Sequence, residues 1–321
     1  MLRHLIWVLV LVVLTGCAVN PVTGRNELVL VGEGTELQIG AEQYAPLRQM
    51  QGGDYTSQPQ ISAYVKEVGG RLAAVSDRQL PYEFQVINDS TPNAWALPGG
   101  KIAINRGLLT EMQSEAELAA VLGHEIVHAA ARHSAQSMQR GMLLQGAVAA
   151  AAMAAGNSQY AGLAIGGASL AAGLVSQQYS REAERESDYY GMIYMSRAGY
   201  DPRAAVELQQ TFVRLSEGRQ SNWLEGLFAS HPPSQERVDA NRRTLQELPA
   251  GGDMGVERYR QVMAPLIAAQ KSYDAYDEGR KALNENRADR APGAGRSGHC
   301  RGTERSAVLR SAWRRLAQTG A

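Results

Sequence analysis

The spacing of apolar and polar residues predicts two helices followed by a small sheet in the first third of the chain. Helical spacing covers about residues 33–50 and 59–74, and the polar, glycine-containing linker 51–54 separates them. Apolar and polar residues then alternate over 82–88, which predicts a strand. A hairpin with a Pro-Gly-Gly turn is predicted over 94–104.

The next segment predicts a longer helix with a well-marked start. Ser114 is suited to cap it, and Glu117, three residues later, completes a capping box. Four apolar residues then recur at helical spacing and form a stripe. They are Leu118, Val121, Leu122 and Ile126. The sequence His-Glu-Ile-Val-His at 124–128 therefore lies in the middle of a helix.

This H-E-x-x-H sequence predicts a zinc site. His124 and His128 lie one turn apart on one helical face, so both imidazoles can bind the same ion. Glu125 lies beside that face, where it can act on the attacking water as a base. A catalytic zinc ion needs a third protein ligand, and Glu184 is the best candidate. Asp188, four residues further on, can accept the ring N–H of a ligand histidine and fix its tautomer.

The alternative for this second segment is a charged helix face exposed to water. Glu182 and Glu186, on either side of Glu184, fit that description. The upstream histidine pair favours the metal site for Glu184 itself.

Four motifs occur in order over about residues 20–245. They are Asn93-Ala94-Trp95-Ala96-Leu97-Pro98-Gly99-Gly100, His124-Glu125-x-x-His128-x-x-x-Arg132-His133, Ser180-Arg181-x-x-Glu184-x-Glu186-x-Asp188-x-x-Gly191 and Ser230-His231-Pro232-Pro233-Ser234. Together they resemble the glutamate-type zinc metallopeptidases related to the CAAX prenyl protease, and among these the bacterial periplasmic branch. The chain departs from the family pattern at Ser187, where relatives commonly carry alanine, and a small residue should be tolerated there.

The resemblance implies an α+β fold, namely a mainly helical glutamate-zincin metallopeptidase domain with a small antiparallel sheet next to the H-E-x-x-H helix. It implies a zinc metalloendopeptidase with Zn²⁺ as cofactor and Glu125 as catalytic base. It also implies that an edge strand beside the zinc holds extended substrate by backbone pairing. The candidates for that strand are Asn93, Ala94, Trp95, Ala96 and Leu97. The alternative is a hairpin that only closes the core.

His231 is a further candidate at the active site on the same resemblance. The two prolines that follow it restrict the backbone. It could donate a hydrogen bond to the developing oxyanion, or occupy the open position on zinc and switch the enzyme off. The alternative is a loop histidine that caps the helix after Pro233. For His133 we expect a structural hydrogen bond.

Residues 141–175, between the two predicted metal-binding helices, are rich in alanine and glycine. Each apolar half is too short to span a bilayer. The favoured interpretation is a pair of tightly packed helices with small residues at their contact. The other is a flap that covers the site or contacts membrane-embedded substrates.

The N-terminus predicts a bacterial lipoprotein. Arg3 precedes the unbroken apolar run Leu5–Leu14, and Leu14-Thr15-Gly16-Cys17 resembles a lipobox, so Cys17 is the predicted lipidation site. The alternative is a transmembrane anchor, although the run is about half of the roughly 20 residues that a spanning helix needs. Because Ala18 rather than aspartate follows the cysteine, resemblance to sorting signals favours the periplasmic face of the outer membrane. Several acyl chains would give a stable anchor.

Composition is that of a folded enzyme, with 321 residues, 44% hydrophobic residues and a formal net charge of +0. This balance gives no electrostatic argument for binding nucleic acid, and none is predicted as a partner. With Cys17 assigned to lipid, Cys300 has no intrachain partner, so no disulfide framework is expected.

Five parts are predicted along the chain. Residues 1–16 are a signal peptide, 17–54 an N-terminal linker and helix, and 55–250 the zinc metallopeptidase domain. Residues 251–286 are predicted to be helical and resemble the first helix of a tetratricopeptide repeat, without a second repeat after it. Residues 287–321 hold eight arginines and two acidic residues and are predicted to be disordered. A basic tail, an altered reading frame and a truncated repeat array all stay open for them.

The sequence therefore predicts a zinc endopeptidase of the cell envelope that degrades misfolded or stalled outer-membrane proteins, with the barrel-assembly machinery as a further partner. The substrate class follows from the resemblance and the predicted compartment. One alternative is a chaperone that binds unfolded barrel proteins and cleaves rarely or never; Glu125 argues against it, because a binding module has no chemical need for a base. Another is a scaffold whose C-terminal helices recruit the assembly machinery.

Overall fold

The computed structural model describes residues 17–154, 179–217 and 225–284. The predicted signal peptide, most of the alanine- and glycine-rich segment and the arginine-rich tail lie outside these ranges. In chain order, the described helices are α1 (Glu33–Met50), α2 (Pro59–Ala73), α3 (Arg106–Leu109), α4 (Glu115–Ala130), α5 (His133–Ala154), α6 (Arg181–Arg197), α7 (Arg203–Glu217), α8 (Glu225–Ser230), α9 (Gln235–Glu247), α10 (Val256–Ala268) and α11 (Gln270–Asn284). The described strands are β1 (Cys17–Val19), β2 (Asn26–Leu28), β3 (Glu83–Ile87), β4 (Ala94–Leu97) and β5 (Lys101–Asn105).

Three of these helices, α4, α6 and α9, begin at a serine cap. Ser114 accepts a hydrogen bond from the backbone N–H of Glu117 at 3.1 Å, which confirms the predicted start of α4. Ser180 and Ser234 do the same for α6 and α9, each accepting from an N–H three residues later at 3.2 Å. Each cap satisfies an N–H that has no partner inside the helix. The caps therefore fix where each helix starts.

The larger sheet has the strand order β3-β5-β4. β4 and β5 form the predicted antiparallel hairpin. Its turn places Gly99 and Gly100 at φ of 78° and 82°, values that glycine adopts without a steric penalty. β3, however, lies parallel to β5, so the sheet is mixed and the prediction of an antiparallel sheet is wrong for this strand. Alternation of side chains identifies a strand but not its neighbour, and here the chain crosses β5 to reach β4.

The main hydrophobic core lies between α2, the sheet, α4 and the later helices. All four residues of the predicted stripe on α4 are buried. The C-terminal helices share this core through Tyr259 and Met263 of α10 and Tyr273 of α11. The predicted helical segment after residue 255 is thus present, with a break at Ala269. The division at 250/251 does not interrupt the core and remains a prediction.

The mainly helical fold with small sheets confirms the predicted fold class. Among the residues that the structure describes, no helix has both the length and the apolar character needed to cross a membrane.

Helices α4 and α6 cross in close contact at two glycines. A Cβ on Gly191 would lie 3.1 Å from the backbone nitrogen of His124, and one on Gly123 would lie 3.2 Å from the carbonyl oxygen of Gly191. Interiors are packed too densely to absorb an added methyl group without movement. The two glycines therefore set the distance between the H-E-x-x-H turn and the Glu184–Asp188 turn.

Gly191→Ala is expected to lower the free energy of unfolding by about 1–3 kcal/mol, because the added methyl group overpacks the crossing. Urea unfolding measures this change, and a zinc titration shows whether displacing α6 also weakens metal binding. Gly70→Ala on α2 is the control, since nothing lies within 4 Å of its Cβ position. That variant should gain about 0.5–1 kcal/mol from higher helix propensity. An equal response of both variants would contradict the close crossing.

Candidate metal centre

Four potential metal ligands converge where α4 and α6 cross. Ligand atoms of His124, His128, Glu184 and His231 all lie within 4.8 Å of one another. His124 Nε2 lies 3.0 Å from His128 Nε2 and 3.5 Å from Glu184 Oε2. His128 Nε2 lies 3.4 Å from Glu184 Oε1. The three residues predicted as zinc ligands are thus close together in the fold.

These separations fit a zinc ion. Ligand atoms about 2.1 Å from a tetrahedral ion lie roughly 3.4 Å from one another. The measured separations among the predicted ligand atoms run from 3.0 to 3.5 Å. Two imidazoles and a carboxylate are also the donor types that catalytic zinc sites use.

Burial and charge act in opposite directions on the cluster. Burial lowers the pKa of His124, but the carboxylates of Glu184 and Asp188 outweigh it and raise this pKa to about 10. Burial favours a raised pKa for Glu184, but His231 and His124 hold it well below its usual range. For His128, burial keeps the pKa well below its usual value. The charged Glu184 therefore favours positive charge on the neighbouring His124, and a cation can take the place of that charge.

His231 takes the fourth place in the cluster. Its Nδ1 lies 3.0 Å from Glu184 Oε1 and 3.3 Å from His124 Nε2. Its Nε2 lies 3.4 Å from Glu125 Oε1. The alternative role as the cap of α9 is wrong, because Ser234 makes that hydrogen bond. Nδ1 of His231 therefore lies where a fourth ligand atom would lie.

Glu125 lies next to the cluster with one free oxygen. The residue is 2% exposed, and its Oε2 has no hydrogen-bond partner in the described part of the chain. Burial raises the pKa of Glu125, although His231 and His124 oppose the shift. A buried carboxylate oxygen without a partner costs free energy. This oxygen is available to accept a proton beside the ligand atoms, as the sequence predicts for a base.

Asp188 contacts a ligand histidine, as the sequence predicts, and an arginine holds it in place. His124 Nδ1 donates to Asp188 Oδ1 at 3.0 Å. Arg237 donates to both Asp188 oxygens at 2.7 Å and lies 2.9 Å from Glu184 Oε2. Burial favours a raised pKa for Asp188, but Arg237 lowers it overall. Asp188 therefore stays ionised and keeps the proton of His124 on Nδ1, which leaves Nε2 for the metal.

The second ligand histidine is held by a longer chain of contacts. His128 Nδ1 lies 2.9 Å from His133 Nδ1, and His133 Nε2 lies 3.2 Å from Glu186 Oε2. Glu186 in turn pairs with Arg25. Burial lowers the pKa of His133 to about 3, so the neutral ring accepts from His128 and donates to Glu186. The hydrogen bond expected of His133 is present, and the interpretation of Glu186 as a solvated residue is wrong.

Tyr179 covers one side of the cluster. Its ring stacks on His128 with centroids 3.8 Å apart. Its hydroxyl group lies 2.8 Å from Ser134 Oγ and 3.5 Å from the carbonyl oxygen of Ala96. Neither Tyr179 nor Arg237 is predicted from the sequence. Tyr179 directly precedes the Ser180 motif, which is the only signal that could have identified it.

The predicted substrate strand forms one edge of the sheet. Asn93 accepts a hydrogen bond from β5 through its carbonyl oxygen. Because such pairs alternate along antiparallel strands, the backbone groups of Ala94 and Ala96 point to the free edge. Trp95 and Leu97 are buried in a cluster with residues of α1. All four residues of β4 are buried in the two hydrophobic clusters, so the hairpin does help to close the core.

An apolar cavity adjoins Glu125 and His231, with α4, α6 and α7 supplying most of its wall. Its larger apolar side chains are Val121, Met192, Met195, Leu208, Phe212 and Leu227. Gln209 also lines it, and its buried Nε2 has no hydrogen-bond partner within the described residues.

Cys17, the predicted lipidation site, begins β1. It pairs with Leu28 of β2 and is not part of the ligand cluster.

An H-E-x-x-H helix, a glutamate from a second helix among the same potential ligand atoms and a buried carboxylate with a free oxygen define a zinc metallopeptidase. Residues 58–245 match peptidase family M48, and the chain belongs to that family. The predicted resemblance, the enzyme class and zinc as cofactor are thereby confirmed.

Three similar proteins are named as proteases or metallopeptidases. The chain is 38% identical over 186 residues to the mitochondrial metalloendopeptidase OMA1 of Schizosaccharomyces pombe, which covers 57% of this chain and 53% of the relative. It is 29% identical over 269 residues to the beta-barrel assembly-enhancing protease of Escherichia coli K12, covering 80% and 52%. It is 30% identical over 186 residues to metalloprotease YcaL of Escherichia coli K12, covering 56% and 70%. The chain thus spans about half the length of the first two.

Glu186→Gln is expected to weaken zinc binding by about 10- to 100-fold, because His133 loses the carboxylate that orients it toward His128. His133→Gln should have a similar effect. Competition with a chromogenic chelator measures zinc affinity, and thermal unfolding of the zinc-free protein measures any general loss of stability. Glu182→Gln is the control, since Glu182 also pairs with Arg25 but is 65% exposed. If Glu186→Gln lowered only the unfolding temperature, the orienting role would be refuted.

Proposed function

We propose that this protein is an envelope endopeptidase that cleaves misfolded or stalled outer-membrane proteins, with His124, His128 and Glu184 as zinc ligands and Glu125 as catalytic base. The observation that carries the proposal is the unpartnered Oε2 of Glu125 beside three ligand atoms at zinc spacing. A protein that only binds its partner has no use for that arrangement.

Each side chain has a distinct part in hydrolysis. When bound, zinc supplies a Lewis acid that polarises the peptide carbonyl and makes water more acidic. Glu125 Oε2 accepts the proton of the attacking water and later returns it to the leaving amine, for which its raised pKa is suited. Asp188 and Arg237 keep the first histidine oriented.

His231 is proposed to be a displaceable fourth ligand. Its Nδ1 lies as close to Glu184 and His124 as the other ligand atoms lie to each other. Catalytic zinc sites keep one position open for water and substrate, so His231 must move before cleavage begins. Between the two active-site roles considered for this residue, the geometry favours inhibition over oxyanion binding.

Substrate is proposed to bind as an extended strand on the free edge of β4. An added strand would pair with the backbone groups of Ala94 and Ala96 that do not pair with β5, and because these residues are 0% and 1% exposed, it must first displace what covers them. Tyr179 lies at this edge and contacts both Ala96 and His128, so the edge and the zinc ligands are adjacent. The apolar cavity next to Glu125 is the proposed site for a side chain beside the scissile bond.

The proposed substrates and location come from the relatives and the N-terminal sequence. The Escherichia coli K12 relative is named as a beta-barrel assembly-enhancing protease. The lipobox at Cys17 supports a lipid anchor on the periplasmic side of the outer membrane. An enzyme held there meets unassembled barrel proteins and the machinery that assembles them, and both are proposed as partners.

Glu125→Gln is expected to lower cleavage of an unfolded outer-membrane barrel protein by about 10²- to 10⁴-fold, the usual contribution of a general base. Bound zinc should be unchanged, because Glu125 is not a proposed ligand. Gel-based cleavage and zinc quantification are measured together, with Glu236→Gln on the surface as the control. If the variant kept zinc and cells carrying it assembled barrel proteins normally, the chaperone alternative would replace this proposal.

His231→Ala is expected to raise the rate of cleavage, because the open position on the metal becomes available to water. The turnover of an unfolded barrel protein is compared at equal bound zinc. A lower rate at equal zinc and unchanged KM would instead assign His231 to oxyanion binding.

A further inference from the structure

One surface of the protein concentrates exposed apolar side chains. The described residues include ten large hydrophobic side chains that are exposed, and six of them come from β1, β2, the segment after β2 and α5. We call five of these six the anchor patch, which consists of Val19, Leu28, Leu30, Met142 and Leu143. Single exposed apolar residues are ordinary, but a concentration of this kind marks an interaction surface.

Contacts of Gln139 bring the two parts of the anchor patch together. Its Oε1 accepts from the backbone N–H groups of Leu30 and Val31, and its Nε2 donates to the carbonyl oxygen of Leu28 at 3.0 Å. Residues three and four positions later on a helix share the face of Gln139. Met142 and Leu143 therefore lie next to the segment that carries Leu28 and Leu30.

The same N-terminal hairpin is fixed to the helices of the metal centre. Asn20 Nδ2 donates to the carbonyl oxygen of Ala131, just after α4, at 2.9 Å. Arg25 pairs with Glu182 at 2.8 Å and also with Glu186 of α6. The hairpin is thus bound to both helices that carry the zinc ligands. The hairpin is therefore held directly against the catalytic domain.

The position of Cys17 identifies the occupant of the patch. Cys17 pairs directly with Leu28, a patch residue, and the apolar run Leu5–Leu14 ends three residues before it. A lipid on Cys17 and a membrane anchor formed by that run would both bring the bilayer to residue 17. Since β1 begins at this residue, a lipid on Cys17 would be attached directly to the hairpin that carries part of the patch.

We propose that the anchor patch lies in the membrane interface and holds the zinc centre in a fixed orientation next to the bilayer. The proposal rests on the envelope location given under Proposed function. In the membrane interface the apolar side chains exchange contact with water for contact with lipid. This adds to the membrane affinity that the acyl chains provide. The protein is then bound to the membrane surface in one orientation, in contrast to a domain that moves freely on a flexible linker.

The test uses the chain from residue 17 onward with Cys17→Ser, which cannot carry a lipid. Sucrose-loaded vesicles of phosphatidylethanolamine with phosphatidylglycerol as the minor component should sediment this protein. The double variant Leu30→Glu, Leu143→Glu should lower the bound fraction by about tenfold, because two charges replace inserted apolar groups. The matched control is Met50→Glu, Ile267→Glu, whose positions are 73% and 54% exposed against 47% and 53% in the patch. Binding of the control should equal that of the parent.

Leu143→Trp gives a second readout. On vesicle binding its fluorescence should shift to the blue and be quenched by brominated lipid, whereas Met50→Trp should show neither effect. Failure of the unlipidated parent to sediment, or equal loss in patch and control variants, would overturn the proposal. So would a parent dimer that the patch variants convert to monomer, since a second copy would then cover the patch.

Cleavage of an unfolded barrel protein in solution is measured on the same variants. Normal cleavage without vesicle binding would refute the patch alone, and vesicle binding without cleavage by the zinc-loaded parent would refute the proposed function alone.

Discussion

The close crossing of α4 and α6 at Gly123 and Gly191 is the contact on which the metal centre depends. Each helix carries functional residues four positions apart, His124 and His128 on one and Glu184 and Asp188 on the other. Residues at this spacing share one helical face, so two such pairs can meet only where the helices approach at backbone distance. A methyl group at either glycine would lie 3.1–3.2 Å from backbone atoms of the other helix, so the helices would have to shift to accept it. The requirement for glycine here is therefore a requirement of the chemistry as well as of packing.

Helix α6 also orients the histidines of α4 by two different routes. Asp188 reaches His124 directly and is fixed by Arg237. Glu186 contacts His133, which in turn contacts His128. These contacts depend on the turn between α4 and α5. Arg132 has a φ of 64°, in the left-handed region that non-glycine residues rarely occupy.

A hydrogen bond from Arg132 Nε to buried Glu36 at 2.6 Å holds this turn. The next helix begins at His133, and its ring lies beside His128, with the two Nδ1 atoms 2.9 Å apart. The unusual backbone conformation of Arg132 is thus linked to the orientation of His128, a proposed zinc ligand. This explains in physical terms why Arg132 and His133 follow the H-E-x-x-H sequence.

Sequence patterns predicted those parts of the protein that local spacing determines. The cap at Ser114, the stripe on α4 and the hairpin at 94–104 each follow from residues close together in the chain, and the structure has all three. The parallel position of β3 could not be predicted in this way, because it depends on which strands become neighbours.

The same limit applies to the charged residues of the site. Glu186 and Arg237 belong to helices rich in charged side chains, and no local pattern separates a buried member from its solvated neighbours. Both acquire their roles from partners on other elements, His133 and Asp188. The proposed ligand set was predictable because its members stand in two short motifs, whereas the residues that orient it are assembled only by the fold.

In the proposed mechanism, two side chains from different segments occupy the places that substrate and water would take. Tyr179 lies at the free edge of β4, and His231 lies at the fourth ligand position. Arg237 donates to the carbonyl oxygen of Pro232 at 3.0 Å while it binds Asp188. The loop formed by residues 231–234 is therefore fixed on the side of α9. His231 leaves the cluster by a local movement of the chain before Pro232.

Such a movement leaves intact the contacts that orient the other ligands, because Asp188 and Glu184 stay paired with Arg237. Displacing Tyr179 likewise breaks a stacking contact and two hydroxyl contacts, with no effect on the α4–α6 crossing. Opening the site is then a matter of a few side-chain contacts rather than of refolding.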